Sequence, residues 1–168
     1  MIHVFILCFT LLLYFPYTDG CFCSPAQSTK ESFCKADWVS HAKILGTSNS
    51  GRRNDLNGIS YMVEHKDVFK MPTKVKMLPV EINTALADTA CGVKLKIGAE
   101  YLLAGSVWSN GYFFMYRCGQ IVEDNRSSSS AEFGMPMKWR NVSNDTKSLL
   151  RTIDCSNHRG TTNTGSNR

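Results

Sequence analysis

Reactive signatures are scarce in this sequence. It holds no H-E-x-x-H pair, no G-x-S-x-G turn, no Walker-type phosphate loop and no EF-hand. Those absences remove the commonest marks of a metalloprotease, a serine hydrolase, a P-loop NTPase and a calcium module. The 4 histidines are scattered. His41, beside Lys43, and His65 fall in strand-like patterns and read as strand residues. Cys34 with His41 is the nearest approach to a catalytic set. There is no internal repeat. There is also no basic block interleaved with aromatics, which argues against a nucleic-acid partner. Beyond residue 15 no apolar run approaches the roughly 20 residues that a membrane span needs. An enzyme is not expected.

The one long apolar run is at the start, Val4 to Phe15. Thr18 and Gly20 then place small residues before Cys21, the pattern of a secretory leader cleaved after residue 20. A secreted, extracellular product with no membrane span is therefore expected. Asp19 is the only Asp, Glu, Lys or Arg in that leader, so its removal raises the formal charge from +5 to +6. The basic excess is spread out and reads as solvated surface rather than as a polysaccharide-binding block.

Cys8 lies in the leader. The others are Cys21, Cys23, Cys34, Cys91, Cys118 and Cys155. An even number in a secreted chain reads as a disulfide framework. Six cysteines allow fifteen pairings. Cys21 with Cys23 is a strained pair, and excluding it leaves twelve. A fully oxidised framework leaves no thiolate for catalysis or for metal binding by Cys-x-Cys.

Ser28-Thr29-Lys30-Glu31 has the form of a capping box and predicts a short helix to about Ala36, with Phe33 and Cys34 inward. Trp38–Leu45 reads as a strand ended by Gly46. A polar Gly/Asn-rich loop follows over residues 47–58. Ile59–Phe69 is a strand with imperfect alternation, hence a bulge or an edge. Val75–Asn83 alternates around Pro79 and reads as an edge strand. Glu100–Val107 and Tyr112–Arg117 are strands joined at Asn110-Gly111, a strong hairpin signal. Asn144 is placed to cap a helix over Lys147–Ile153 that turns Leu149, Leu150 and Ile153 inward. Residues 156–168 are polar and read as a disordered tail. The fold class expected is mainly β: a five-stranded, OB-like Greek-key barrel with short flanking helices and three disulfides, over residues 21–155. Three sequons, at Asn125, Asn141 and Asn144, are potential glycan acceptors.

The α-amine of a mature Cys21 is the one conspicuous reactive group. With a pKa of about 7.7–8.0 it is readily deprotonated. Amine and carbonyl of one residue can close a five-membered chelate on a metal. A catalytic zinc that keeps an open position would accept it, and a rigid chain end would lose little entropy on binding.

Cys21-x-Cys23-x-Pro25, Phe33-Cys34-x-x-Asp37-x-Val39-x-x-Ala42-Lys43-x-x-Gly46, Cys91-Gly92 and Glu100-Tyr-Leu-Leu-Ala-Gly105, closed by Cys118 and Cys155, together resemble the N-terminal, netrin-like domain of the tissue inhibitors of metalloproteinases. The resemblance implies the barrel and the pairs Cys21–Cys91, Cys23–Cys118 and Cys34–Cys155. It implies a secreted inhibitor of extracellular zinc metalloproteases of the matrix metalloproteinase type, acting as a monomer with no cofactor of its own; the zinc belongs to the target. Cys21 would chelate that zinc. Phe22 would enter the primed-side pocket, with Cys23, Ser24 and Pro25 continuing the ridge. Asp88, Thr89 and Ala90 would lie on the unprimed side. The alternative is a netrin-like module that binds a receptor, matrix component or growth factor without inhibiting.

The chain departs from the family pattern at three places. Phe22 stands where Thr or Ser is common, so either the ring is tolerated drift or it narrows selectivity to deep pockets. Ala26-Gln27-Ser28 replaces the usual histidine and Pro-Gln. A second six-cysteine domain has no counterpart here, so its proenzyme binding is not implied.

Overall fold

The computed structural model describes residues 21, 23, 28–49, 58–124 and 134–156. The expected leader, Phe22, Ser24, Pro25, Asn125 and all of the tail but Ser156 lie outside the described residues.

Five strands close on themselves: β1 (Trp38–Asn49), β2 (Gly58–Lys70), β3 (Glu81–Ala85), β4 (Glu100–Val107) and β5 (Phe113–Phe114). Their order is β1-β2-β3-β5-β4, and β4 returns to β1. This is the expected Greek-key barrel. Neighbours are antiparallel except β3 and β5, which run parallel through Asn83 and Phe114. A sixth short strand, β6 (Met137–Lys138), pairs with Tyr101 and Leu102 of β4. Helix α1 (Thr29–Lys35) precedes the barrel and α2 (Asn144–Leu149) follows it.

The Tyr-Leu-Leu-Ala-Gly run is apolar at every position because β4 is buried on both sides. Tyr101 and Leu103 face the barrel interior with Trp38, Ile44, Val63, Ile82 and Met115. Leu102 and Ala104 face a second cluster with Phe33, Val39, Ile121, Met137 and Leu150. At Gly105 a Cβ would stand 2.1 Å from the Phe114 carbonyl oxygen and 2.6 Å from the Trp38 ring, so only glycine lets β5 and the indole approach. Between β5 and β6 the edge of β4 is completed by a side chain. Gln120, buried, accepts from the Ala104 amide at 3.1 Å and donates to the Ala104 carbonyl at 2.9 Å. It thereby stands in for a missing strand.

Several element boundaries differ from the sequence reading. β1 does not stop at Gly46: Leu45 is an extra residue opposite Met62, and pairing continues to Asn49. The bulges expected in β2 occur, at Lys66 and Phe69, where pairing with β1 skips a residue. The third strand begins only at Glu81. Pro79 has no amide to offer a ladder, and Val80, placed on the inward side by the alternation, is 64% exposed. The fifth strand is two residues long, since the chain turns into a 3-10 segment at Arg117–Gly119. Asn110-Gly111 does close a hairpin, the Gly111 amide donating to the Trp108 carbonyl at 2.8 Å. The second helix starts earlier than expected: Ser143, not Asn144, caps it by accepting from the Thr146 amide. That offset leaves Leu149 37% exposed while Leu150 is buried.

Two polar anchors fix α1 and the β1–β2 face. The Ser28 hydroxyl accepts from the Glu31 amide at 3.0 Å, as the capping box expects, and Glu31 pairs with Lys35. From the end of β2 the Lys70 ammonium donates to the carbonyls of Phe33, Cys34 and Ala36, which close the helix. Burial pushes the Lys70 pKa down, though the Asp37 charge opposes this. His65 is bonded at both ring nitrogens. Nε2–H donates to the Pro79 carbonyl at 3.0 Å, and Nδ1 accepts from the Ser40 hydroxyl at 2.9 Å. Burial lowers its pKa and outweighs the Pro79 carbonyl.

Lys70→Met keeps the stem but strips three carbonyls of their donor, so it should cost about 1–3 kcal/mol; an unchanged urea midpoint would contradict this. Because the folded protein resists protonating His65, stability should be complete above about pH 6.5 and decline as pH falls below it. His65→Gln should flatten the urea-midpoint profile between about pH 6.5 and 5. A profile of unchanged slope would show that His65 does not set it.

Candidate functional site

The site is built by three short segments meeting at one end of the barrel. After β3 the chain forms a 3-10 turn over Asp88–Ala90, with the Ala90 amide donating to Ala87 and the Cys91 amide to Asp88, at 3.1 and 3.0 Å. Cys91 then adopts the left-handed region, φ 59° and ψ 31°. That reverses the chain into Gly92, where a Cβ would lie 2.2 Å from the Ala85 carbonyl oxygen. The Cys-Gly pair is thus required by geometry: the cysteine makes the bridge and the glycine makes room. Val93 is next held by donation to Thr84 Oγ1 at 2.9 Å.

The second segment is the Arg117–Gly119 turn. Its Arg117 amide donates to the Cys91 carbonyl at 2.9 Å, which sets Cys91 and Cys118 side by side. The third is the start of the described chain. Cys21 bonds Cys91 and Cys23 bonds Cys118, with Cα–Cα separations of 5.1 and 5.0 Å. These lie within the usual span for disulfides. The two bridges touch: Cys21 Sγ is 3.4 Å and Cys91 Sγ 3.8 Å from Cys118 Sγ. Cys34–Cys155 ties α1 to the segment after α2. All three pairs are those that the family resemblance implied.

The sulfurs of Cys21, Cys23 and Cys118 lie within 4.8 Å of one another. All are oxidised, so this trio offers no thiolate to a metal. Asp88, Thr89 and Ala90 are solvent-exposed beside the Cys21–Cys91 bridge. Asp88 pairs with Lys94 at 2.8 Å, an exposed contact that adds little. Of the sequence-expected site residues, the fold brings Cys21, Cys23, Asp88, Thr89 and Ala90 to one end, while Phe22, Ser24 and Pro25 fall outside the described residues. His41 is not near a free thiol. It bonds Glu100 at 2.9 Å and stacks on Trp139 with centroids 4.0 Å apart. Asn141 and Asn144 are exposed. Sequence reasoning missed the Arg117 turn and the left-handed Cys91; only the Cys-Gly dipeptide hinted at the latter.

Comparison with known proteins agrees with this arrangement. A family model described as Tissue inhibitor of metalloproteinase matches residues 19–162. Putative metalloproteinase inhibitor tag-225 of Caenorhabditis elegans is 41% identical over 144 residues, which is 82% of this chain and 89% of that protein. Metalloproteinase inhibitor 2 of Bos taurus is 37% identical over 69% of this chain, and Metalloproteinase inhibitor 3 of Scyliorhinus torazame 25% identical over 73%. In each of these two vertebrate proteins the match spans only 56% of the relative's length. All three relatives are named as inhibitors, not enzymes. With a family match across most of its length and the barrel and bridges in place, the chain belongs to the tissue inhibitor of metalloproteinase family.

Proposed function

We propose that the chain is a secreted inhibitor of zinc metalloproteases, of the matrix metalloproteinase type, that acts through the backbone of Cys21. The observation that carries the reading is the double anchorage. Two adjacent disulfides hold Cys21 and Cys23 against turns that are themselves hydrogen-bonded together through Arg117 and Cys91. A chain end fixed in this way meets the protease with its ordering entropy already lost.

In this reading the leader is cleaved before Cys21, which frees its α-amine. Amine and carbonyl occupy the position on the protease zinc otherwise held by water. The zinc is the target's; the inhibitor brings no cofactor and acts as a single copy. Phe22 enters the primed-side pocket, followed by Cys23, Ser24 and Pro25. The exposed turn Asp88-Thr89-Ala90 meets the unprimed side. Asn125, Asn141 and Asn144 are potential glycan acceptors, with crowding opposing glycans on both Asn141 and Asn144. Secretion is consistent with the three disulfides. Among the described residues no helix is long and apolar enough to cross a membrane.

An added alanine before Cys21 converts the amine to an amide, which cannot chelate, so inhibition of a matrix metalloproteinase should fall by at least about 100-fold, a loss of ~3 kcal/mol. Equal potency would contradict the chelate and favour a non-inhibitory binding module. Phe22→Thr should widen the range of proteases inhibited, because a shallow pocket pays about 1–3 kcal/mol to accept the ring. An unchanged set of inhibition constants across deep- and shallow-pocket enzymes would overturn the pocket assignment.

A further inference from the structure

We propose that Cys21, Cys23, Cys91 and Cys118 form a thiol–disulfide exchange site in which one reduction releases both N-terminal anchors. The two bridges are in sulfur–sulfur contact, with Cys118 Sγ 3.4 Å from Cys21 Sγ and 3.8 Å from Cys91 Sγ. Exchange requires a thiolate within reach of a second disulfide, and opening the Cys21–Cys91 bridge creates that situation without moving the barrel. Cys118 is exposed and Cys91 half-buried, so a reductant and water have access.

The balance is as follows. An extracellular thiol reductant supplies two electrons to Cys21–Cys91 and is itself oxidised to a disulfide; Cys21 and Cys91 become thiols. The Cys91 thiolate then attacks Cys118 Sγ. A Cys91–Cys118 bond forms, the Cys118–Cys23 bond breaks, and Cys23 leaves as a thiolate that takes a proton from water. The second step consumes no electrons.

Cys91, not Cys21, is the nucleophile because of what holds each in place. The Arg117 amide bonds the Cys91 carbonyl at 2.9 Å, and this backbone link keeps Cys91 beside Cys118 after reduction. Cys21 keeps only its chain link to Cys23, with no such backbone bond among the described residues to hold it in line with the Cys23–Cys118 bridge. The product keeps the two barrel turns joined and sets Cys21 and Cys23 free together. Cys34–Cys155 takes no part: it packs against the second core cluster, and the sulfur contacts join only the other two bridges. Loss of protease inhibition on exchange rests on the function proposed above; the exchange itself does not.

The test is disulfide mapping, which does not depend on inhibition. The native secreted protein is opened with less than one equivalent of a trialkylphosphine at about pH 4, where thiols near pKa 8.5 stay protonated and exchange is slow. One half is trapped at once with a maleimide; the other is first held, without oxygen, at about pH 8. The acid-trapped half should carry label on native pairs. The other half should contain a Cys91–Cys118 peptide with label on both Cys21 and Cys23. Identical maps in the two halves would overturn the proposal, and so would a Cys21–Cys118 linkage with Cys91 labelled.

Discussion

Everything at the working end depends on the turn at Cys91. The left-handed residue, the hydrogen bond from Arg117 to its carbonyl and the bridge to Cys21 meet at that one position. A left-handed cysteine is unfavourable in itself, by about 1–2 kcal/mol. It persists because the 3-10 turn before it, the space at Gly92 after it and the bonds on both sides allow no relaxed alternative. Two disulfides then hang from this turn and its neighbour. They span 70 and 95 residues of sequence, long loops whose closure, each taken alone, contributes about 4.5 kcal/mol in the chain-entropy description.

The barrel supplies the platform. Its β4 strand is shared by both apolar clusters, so any shift of β4 is resisted from inside and outside at once. Gln120 lies only two residues beyond Cys118, and its side-chain amide is bonded to Ala104 of that same strand. The turn that carries Cys118 is thereby keyed to a strand buried on both faces. On the other side, Asn83 of β3 pairs with Phe114 of β5, just before that turn. Both turns of the site follow strands whose register is fixed by pairing.

Much of this was legible in the sequence. Glu100–Val107 matched residue for residue, because a strand buried on both faces announces itself as an unbroken apolar run with a turn signal beyond it. The three pairings followed from the resemblance; the residues alone left twelve open. What failed did so where tertiary contacts overrode local pattern. Val80 alternates like a core residue and its carbonyl accepts from the Val63 amide, yet its side chain, next to Pro79, faces solvent. The extra residue Leu45 lets β1 run past a glycine that looked like a stop. Ser143 captured the helix cap because its hydroxyl lies one residue ahead of the apparent signal at Asn144. The anchoring by Lys70 and Gln120 had no sequence signature, since each joins backbone groups distant along the chain.

The central claim is that a backbone chelate, not a side chain, is the active group. The most direct measurement is a crystal structure of the secreted protein bound to a zinc metalloprotease. The account predicts the Cys21 amine nitrogen and carbonyl oxygen on the zinc at about 2.0–2.2 Å, with the bound water displaced. A zinc that keeps its water while the inhibitor binds elsewhere would contradict it.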